Sequence, residues 1–187
     1  MNPLASAVTF SLGAHCLRLA RIFLLTALWC GSVVAQDANK VSNFVRQALA
    51  ARSKEIVAAT VEMPADKFGF KPLLQDMTFA QLSLHVAVTN YLYCSKIGGI
   101  AEPELPKLAD TEPKEKFVER VKASFDFCTA ALAKLDDSSK SEMLTLADTK
   151  TSRAMAILTL TGAWNDHLTL QTDYLRATGR VPPTASN

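Results

Sequence analysis

The sequence predicts an all-α protein, an up-down four-helix bundle that follows an N-terminal secretory signal. Three observations indicate this fold. Apolar residues recur every three or four positions over long stretches, which is the spacing of one helix face. Proline or glycine stands at the ends of these stretches, and no segment shows the sustained alternation of a half-buried strand. The predicted domains are the signal over residues 1–35 and the bundle over residues 36–187.

The first 35 residues have the order of a cleaved secretory signal. Arg18 and Arg21 precede an apolar run over residues 22–30, and small residues follow up to Ala35. The run is shorter than the roughly 20 residues that span a bilayer. We therefore expect cleavage after Ala35, an exported protein that is periplasmic or secreted, and no stable membrane anchor after cleavage.

The charge of the predicted bundle is balanced. The whole chain has 20 Lys and Arg against 18 Asp and Glu, and the signal contains two Arg and no acid, which leaves 18 of each sign in the bundle. No basic patch with interleaved aromatic residues occurs, so nucleic-acid binding is not expected.

The first two helices are defined by their end signals. The first runs over about 38–60, with Asp37 as its N-cap, and Pro64 ends it. The second begins after Thr78, which forms a capping box with Gln81, and it ends at Gly98-Gly99.

The last two helices carry clear packing stripes. The third begins at Pro113 and ends before Asp136-Asp137, a pair that indicates a turn rather than catalytic carboxylates. Residues 143–146 are briefly extended at most. The fourth helix runs over about 152–178, and Gly179 ends it.

Two histidines are candidate metal ligands. His85 in the second helix lies beside apolar residues and is expected to face inward or half-inward, and His167 lies on the packing stripe of the fourth helix. Inward histidines from different helices are how bundles build metal sites. On the helix of His167, only Gln171 could add a ligand from the same face, and an amide is a weak one. The alternative is that each histidine is an ordinary core or boundary residue.

Two cysteines follow the signal. Cys94 and Cys128 are candidates for one disulfide in an exported chain, whereas Cys16 and Cys30 fall within the signal. The bond requires that the second and third helices be neighbours, and it would stabilise the fold by roughly 3–4 kcal/mol. The alternative is a pair of buried free thiols.

The sequence resembles the DinB-like (DinB/YfiT) superfamily of bacterial four-helix bundles over most of the chain after the signal. The resemblance is strongest over 78–87, at Asn90-Tyr91, and over 167–176, followed by Gly179-Arg180-Val181-Pro182-Pro183. It implies a metal site of three histidines that holds zinc or nickel. His85 and His167 match two of them, and the third position falls on Ala163, which should weaken metal binding severely.

The resemblance leads to competing functions. The preferred hypothesis is an exported bundle with an incomplete histidine triad that binds metal weakly or is non-catalytic. The alternative is a divalent-metal-dependent hydrolase or thiol transferase that uses His85 and His167, with Asn165 or Asp166 assisting, although an exported chain lacks ready access to cytosolic thiols.

A third hypothesis is a small-molecule carrier whose ligand, of unknown identity, lies at Ala163. The pocket candidates for it are Trp164, Gln171 and Tyr174. A homodimer is one possible assembly.

Overall fold

The structure is a computed structural model that describes residues 38–183. The predicted signal and the predicted cap at Asp37 lie outside the described residues. The elements, in chain order, are α1 (Lys40–Glu62), α2 (Phe79–Gly98), α3 (Lys114–Leu132), β1 (Met143–Leu146), β2 (Thr149–Ser152) and α4 (Arg153–Ala177). Among the described residues, no helix is both long enough and apolar enough to cross a membrane.

The predicted four-helix bundle is confirmed. In it, α2 packs against α3 and α4, and α1 packs against the same two helices from the opposite corner. The predicted capping box at the start of α2 is also present, since the Thr78 hydroxyl accepts from the Gln81 amide while the Gln81 side chain accepts from the Thr78 amide. At the other end of α2, Gly99 adopts a left-handed φ of 66°, as helix-ending glycines do.

The helix directions differ from strict up-down alternation. Asn90 contacts Ser124 and, one turn later on both helices, Cys94 contacts Cys128. Because residue numbers rise together on the two helices, α2 and α3 are parallel. The connection over residues 99–113 must therefore return along the length of the bundle before α3 begins.

The other adjacent pair is parallel as well. Arg52 bonds to Asn165 and, further along both helices, Thr60 bonds to Gln171, so α1 and α4 run in the same direction. The order is up, down, down, up, and α2 lies antiparallel to α4. This last pairing brings the two candidate histidines to the same level of the bundle.

A short hairpin precedes α4. Strands β1 and β2 pair antiparallel, with Leu146 opposite Thr149. The extended segment over 143–146 agrees with the sequence prediction, but its partner strand was not predicted. Its turn contains Ala147 at a left-handed φ of 49°, where glycine or asparagine is the usual signal. Leu146 is 9% exposed and joins the core.

A distant carboxylate caps α1. Asp137 begins a short 3-10 helix after α3, and its two oxygens accept from the backbone amides of Val41 and Ser42 at 2.9 and 2.8 Å. These amides belong to the first turn of α1, where no intrahelical acceptor is available. Asp137 therefore joins two segments that lie far apart in the sequence.

Candidate functional site

The two candidate histidines contact each other across α2 and α4. The ring centroids of His85 and His167 lie 5.1 Å apart with the ring planes at 81°, an edge-to-face arrangement. His167 is 5% exposed, whereas His85 is exposed. The expectation that His85 faces inward or half-inward is therefore wrong. Its helix buries Leu82, Val86 and Asn90, and this leaves His85 at the outer edge of the contact with α4.

The buried histidine is held neutral. Burial is the main cause that lowers the pKa of His167 from 6.5 to about 4, and the nearby charge of His85 lowers it further, while Asp166 partly opposes them. At neutral pH the imidazole therefore keeps a free lone pair, which is the form that binds metals. Its Nδ1 atom is buried and has no hydrogen-bond partner among residues 38–183. A buried ring nitrogen without a protein partner is uncommon in folded proteins.

The residues around the pair do not complete a metal centre. Ala163 lies one helical turn before His167 and offers no donor atom. In the described part of the chain, no group of three or more His, Cys, Asp or Glu side chains is placed to hold a metal ion. Structural and catalytic zinc sites use at least three protein ligands. The histidine pair supplies two, so these residues do not fit the metal site of three histidines.

The amide that could substitute is already engaged. Gln171, one turn after His167, is fully buried, and its Nε2 donates to the Thr60 hydroxyl at 2.9 Å. Thr60 in turn donates to the carbonyl of Ile56. The Oε1 atom of Gln171 is buried without a partner among the described residues. Gln171 thus links α4 to α1, and its role here is to tie the two helices together.

The other pocket candidates also lie in the core. Trp164 is fully buried, and Tyr174 is 5% exposed, with its hydroxyl donating to the Met77 carbonyl at 2.6 Å. Ala163 is half-buried on the same helix. The side chains of Trp164 and Tyr174 thus fill the bundle interior. Their exposure gives no support to a carrier cavity at this place.

A buried asparagine organises the centre of the bundle. Asn90 has no exposed surface; its Nδ2 donates to the Ser124 hydroxyl at 3.0 Å, and its Oδ1 accepts from the indole of Trp164 at 2.7 Å. One side chain on α2 thereby bonds to both α3 and α4. Sequence reasoning did not assign this role. The available signal was a single amide in the apolar stripe, one turn after Val86 and one turn before Cys94.

The predicted disulfide is present. Cys94 and Cys128 are bonded, their Cα atoms lie 5.1 Å apart, and both residues are fully buried. The condition that the second and third helices be neighbours is therefore met. The bond lies one turn beyond the Asn90–Ser124 hydrogen bond, so the two contacts together fix the register of α2 against α3.

Comparison with known proteins identifies the fold. The sequence matches no family model, and no curated protein matches it. Solved structures that are similar include two DinB-like proteins. The DinB-like protein YjoA from Bacillus subtilis is 18% identical with a TM-score of 0.61, and the match covers 73% of this chain and 93% of that one. A DinB-like protein from Bacillus cereus is 12% identical with a TM-score of 0.62, covering 74% and 93%. The chain folded around the histidine pair thus has the four-helix-bundle fold of the DinB-like proteins.

Proposed function

We propose that this protein is an exported DinB-like bundle whose histidine metal site is incomplete, so that it binds divalent metal weakly and does not act as a metal-dependent catalyst. The observation that carries the proposal is Ala163, which stands one turn before His167 where the resemblance implies the third ligand. A ligand set of two imidazoles leaves most of the coordination sphere to solvent.

The loss of a direct ligand has a large expected effect. Removing even the groups that merely orient metal ligands costs about 10–100-fold in affinity, so the absence of a ligand should cost more than about 100-fold. Gln171 does not compensate, because its amide nitrogen bonds to Thr60. Asp166 is exposed on the adjacent position of the helix and influences His167 only through its charge.

Export is the second part of the proposal. The order of basic, apolar and small residues before Ala35 supports it. The Cys94–Cys128 disulfide agrees with it, since such bonds persist in oxidising compartments. The test is the N-terminal sequence of the protein recovered from the cell envelope or medium. A mature chain that begins at Gln36 is expected, and an intact Met1 in the cytosol would contradict it.

A second candidate function is metal-dependent hydrolysis. It is favoured by the contact between His85 and His167 and by the exposure of His85, which leaves one side of the pair accessible to a substrate. It requires a third ligand that the described residues do not supply. Thiol transfer is less compatible with an exported chain, because small bacterial thiols are cytosolic.

Restoring the missing ligand tests the proposal. Zinc and nickel are titrated into the metal-free mature chain, residues 36–187, and into the Ala163→His variant. The unmodified protein should bind weakly, and Ala163→His should raise the affinity by more than about 100-fold. Ala163→Gln is the matched control and should produce little gain. Adding His167→Ala to Ala163→His should abolish the gain and so locate the metal at the pair.

Tight metal binding by the unmodified protein would contradict the proposal. About one equivalent of zinc or nickel that stays with the unmodified protein through desalting, and is lost in His167→Ala, would show that a further ligand exists. That outcome would overturn the incomplete-site proposal and favour the hydrolase.

A further inference from the structure

The long connection between α2 and α3 covers part of the bundle surface. We call residues 99–113 the return loop, because they carry the chain back along the outside of the parallel pair. Two polar contacts attach the loop to the helices. Gln81 Nε2, near the start of α2, donates to an Asp110 carboxylate oxygen at 2.6 Å, and Arg120 Nη2 on α3 donates to the Pro106 carbonyl at 3.0 Å.

A cavity lies between the return loop and the two helices. Its volume is about 380 Å³, within the range of cavities that hold small molecules. Apolar side chains from both sides form most of its wall, namely Leu84, Val88, Pro103, Leu105, Pro106 and Leu108. His85 and His167 do not belong to this wall, so the cavity is separate from the histidine pair.

The polar groups of the cavity are mostly hydrogen-bond donors. Arg120 and Lys107 carry positive charge and Glu102 is the one acid of the lining, so the wall has a net charge of about one positive unit. Arg120 uses one of its N–H groups on Pro106, and a guanidinium has about five to offer.

The remaining polar residue of the lining is a nearly buried tyrosine. Tyr91 is 3% exposed and lines the cavity. Burial is the main cause that raises the pKa of Tyr91 above 10; the charge of Arg120 opposes it and the charge of Asp126 adds to it. The hydroxyl therefore stays protonated and available as a donor. Its ring is fixed by Phe127, with centroids 5.3 Å apart.

We propose that this cavity binds a small amphipathic monocarboxylate, with the carboxylate at Arg120 and Tyr91 and the apolar part against Leu84, Val88 and the return loop. The charge of the donors matches one carboxylate, and the apolar wall matches a short hydrocarbon or aryl group. This site is independent of the proposed function at the histidine pair.

The direct test is calorimetric titration of the mature protein with decanoate, with 1-decanol as the uncharged probe of equal chain length. Decanoate should bind one to one and about tenfold or more tighter than decanol, since hydrogen bonds to a charged group contribute about 1.5–3 kcal/mol. Equal binding of the two probes, or no decanoate binding up to its solubility limit, would overturn the proposal.

Three variants locate the binding. Val88→Asp places a carboxylate on an exposed position of the wall and should abolish decanoate binding without unfolding the helix, because Val88 is 58% exposed. Tyr91→Phe keeps the ring on Phe127 and should weaken binding of decanoate but not of decanol. Lys54→Ala, on an exposed position of α1 and outside the cavity lining, should change the binding of neither probe. Unchanged binding in a folded Val88→Asp variant would place decanoate elsewhere and refute the site.

Discussion

The indole nitrogen of Trp164 donates a 2.7 Å hydrogen bond to the side-chain oxygen of Asn90, and neither residue has any exposed surface. The largest side chain of the core is thus oriented by an amide on the neighbouring antiparallel helix. Because the same amide also donates to Ser124, the position of Trp164 is linked to the packing of α2 on α3. Because these hydrogen bonds are buried, they favour the one packing arrangement of α2, α3 and α4 in which all of them are formed.

Replacing Asn90 with Leu should therefore destabilise the protein by about 1–3 kcal/mol, because it leaves the Trp164 indole N–H without its acceptor. The Ser124 hydroxyl also loses the bond from Asn90 but still donates to the Val121 carbonyl. Urea unfolding of residues 36–187 measures this. Trp164→Phe and the double variant complete a cycle. If Asn90→Leu costs as much in the Trp164→Phe background as in the unmodified protein, the hydrogen bond does not couple the two residues.

Two helical glycines should respond in opposite ways to the same change. A Cβ on Gly98 would lie 2.4 Å from the Ala131 carbonyl oxygen, so Gly98→Ala should force α2 and α3 apart and destabilise the fold. A Cβ on Gly162, in the interior of α4, meets nothing within 4 Å, so Gly162→Ala should stabilise it by up to about 1 kcal/mol. Thermal unfolding of both variants checks the contrast, and a stabilised Gly98→Ala variant would show that the close approach is not real.

The remote cap at Asp137 should make stability depend on acid. Burial tends to raise the pKa of this carboxyl, but the hydrogen bonds from Val41 and Ser42 outweigh it and hold the pKa below 3.8. The folded state therefore favours the carboxylate. This stabilisation is complete above about pH 4 and is lost as the pH falls through the folded-state pKa.

Asp137→Ala should accordingly cost about 1–2 kcal/mol at pH 7, and the difference from the unmodified protein should shrink near pH 2–3. Urea unfolding at both pH values measures it. Asp126→Asn, on an exposed position of α3, is the control and should have little effect at either pH. A difference for Asp137→Ala that is as large at pH 2 as at pH 7 would contradict the capping role.

His167 should lower stability at mildly acidic pH. Its folded-state pKa of about 4 lies below the ordinary value of 6.5, so the unfolded chain binds the proton more readily. Full stability is expected above about pH 6.5, and it should decline towards pH 4 by at most about 3 kcal/mol. Unfolding measured with a chelator present checks the slope, and His167→Gln should flatten it.

An NMR titration tests the same prediction at one ring. The His167 signals should titrate near pH 4, and His85→Gln should raise that pKa, because it removes a nearby positive charge. A His167 ring that titrates near pH 6.5 would mean that it is not desolvated.

The residues that follow local rules were predictable from the sequence. The capping box at Thr78 and the helix-ending glycine at Gly99 depend only on neighbours within a few positions, and the stripes of α3 and α4 follow from helical periodicity. The Cys94–Cys128 bond was proposed because export makes pairing of two cysteines favourable. The caps and the stripes needed no knowledge of which helices are adjacent, whereas the disulfide required that the second and third helices be neighbours.

Features that depend on which helices are adjacent were harder to predict from the sequence. Two contacts join segments that are distant in the sequence: Asp137 caps α1, and Asn90 bonds to Trp164. Helical periodicity predicts which face of a helix a residue lies on, but it does not predict which residue of another helix contacts it. The outward position of His85 could not be predicted for the same reason, because it depends on which helices contact α2. A helix that contacts two neighbours has a broad buried face, and the sequence alone did not locate the edge of that face. Whether metal binds at the pair stays a prediction.

The parallel course of α2 and α3 also sets a minimum length for the segment that joins them. A helix of 20 residues such as α2 rises about 30 Å, whereas the about 15 residues of the return loop can extend to roughly 50 Å. The segment therefore has spare contour length and is not stretched between its ends. It can therefore follow an indirect path between its two attachments at Gln81 and Arg120, and only a deletion of several residues would make it taut.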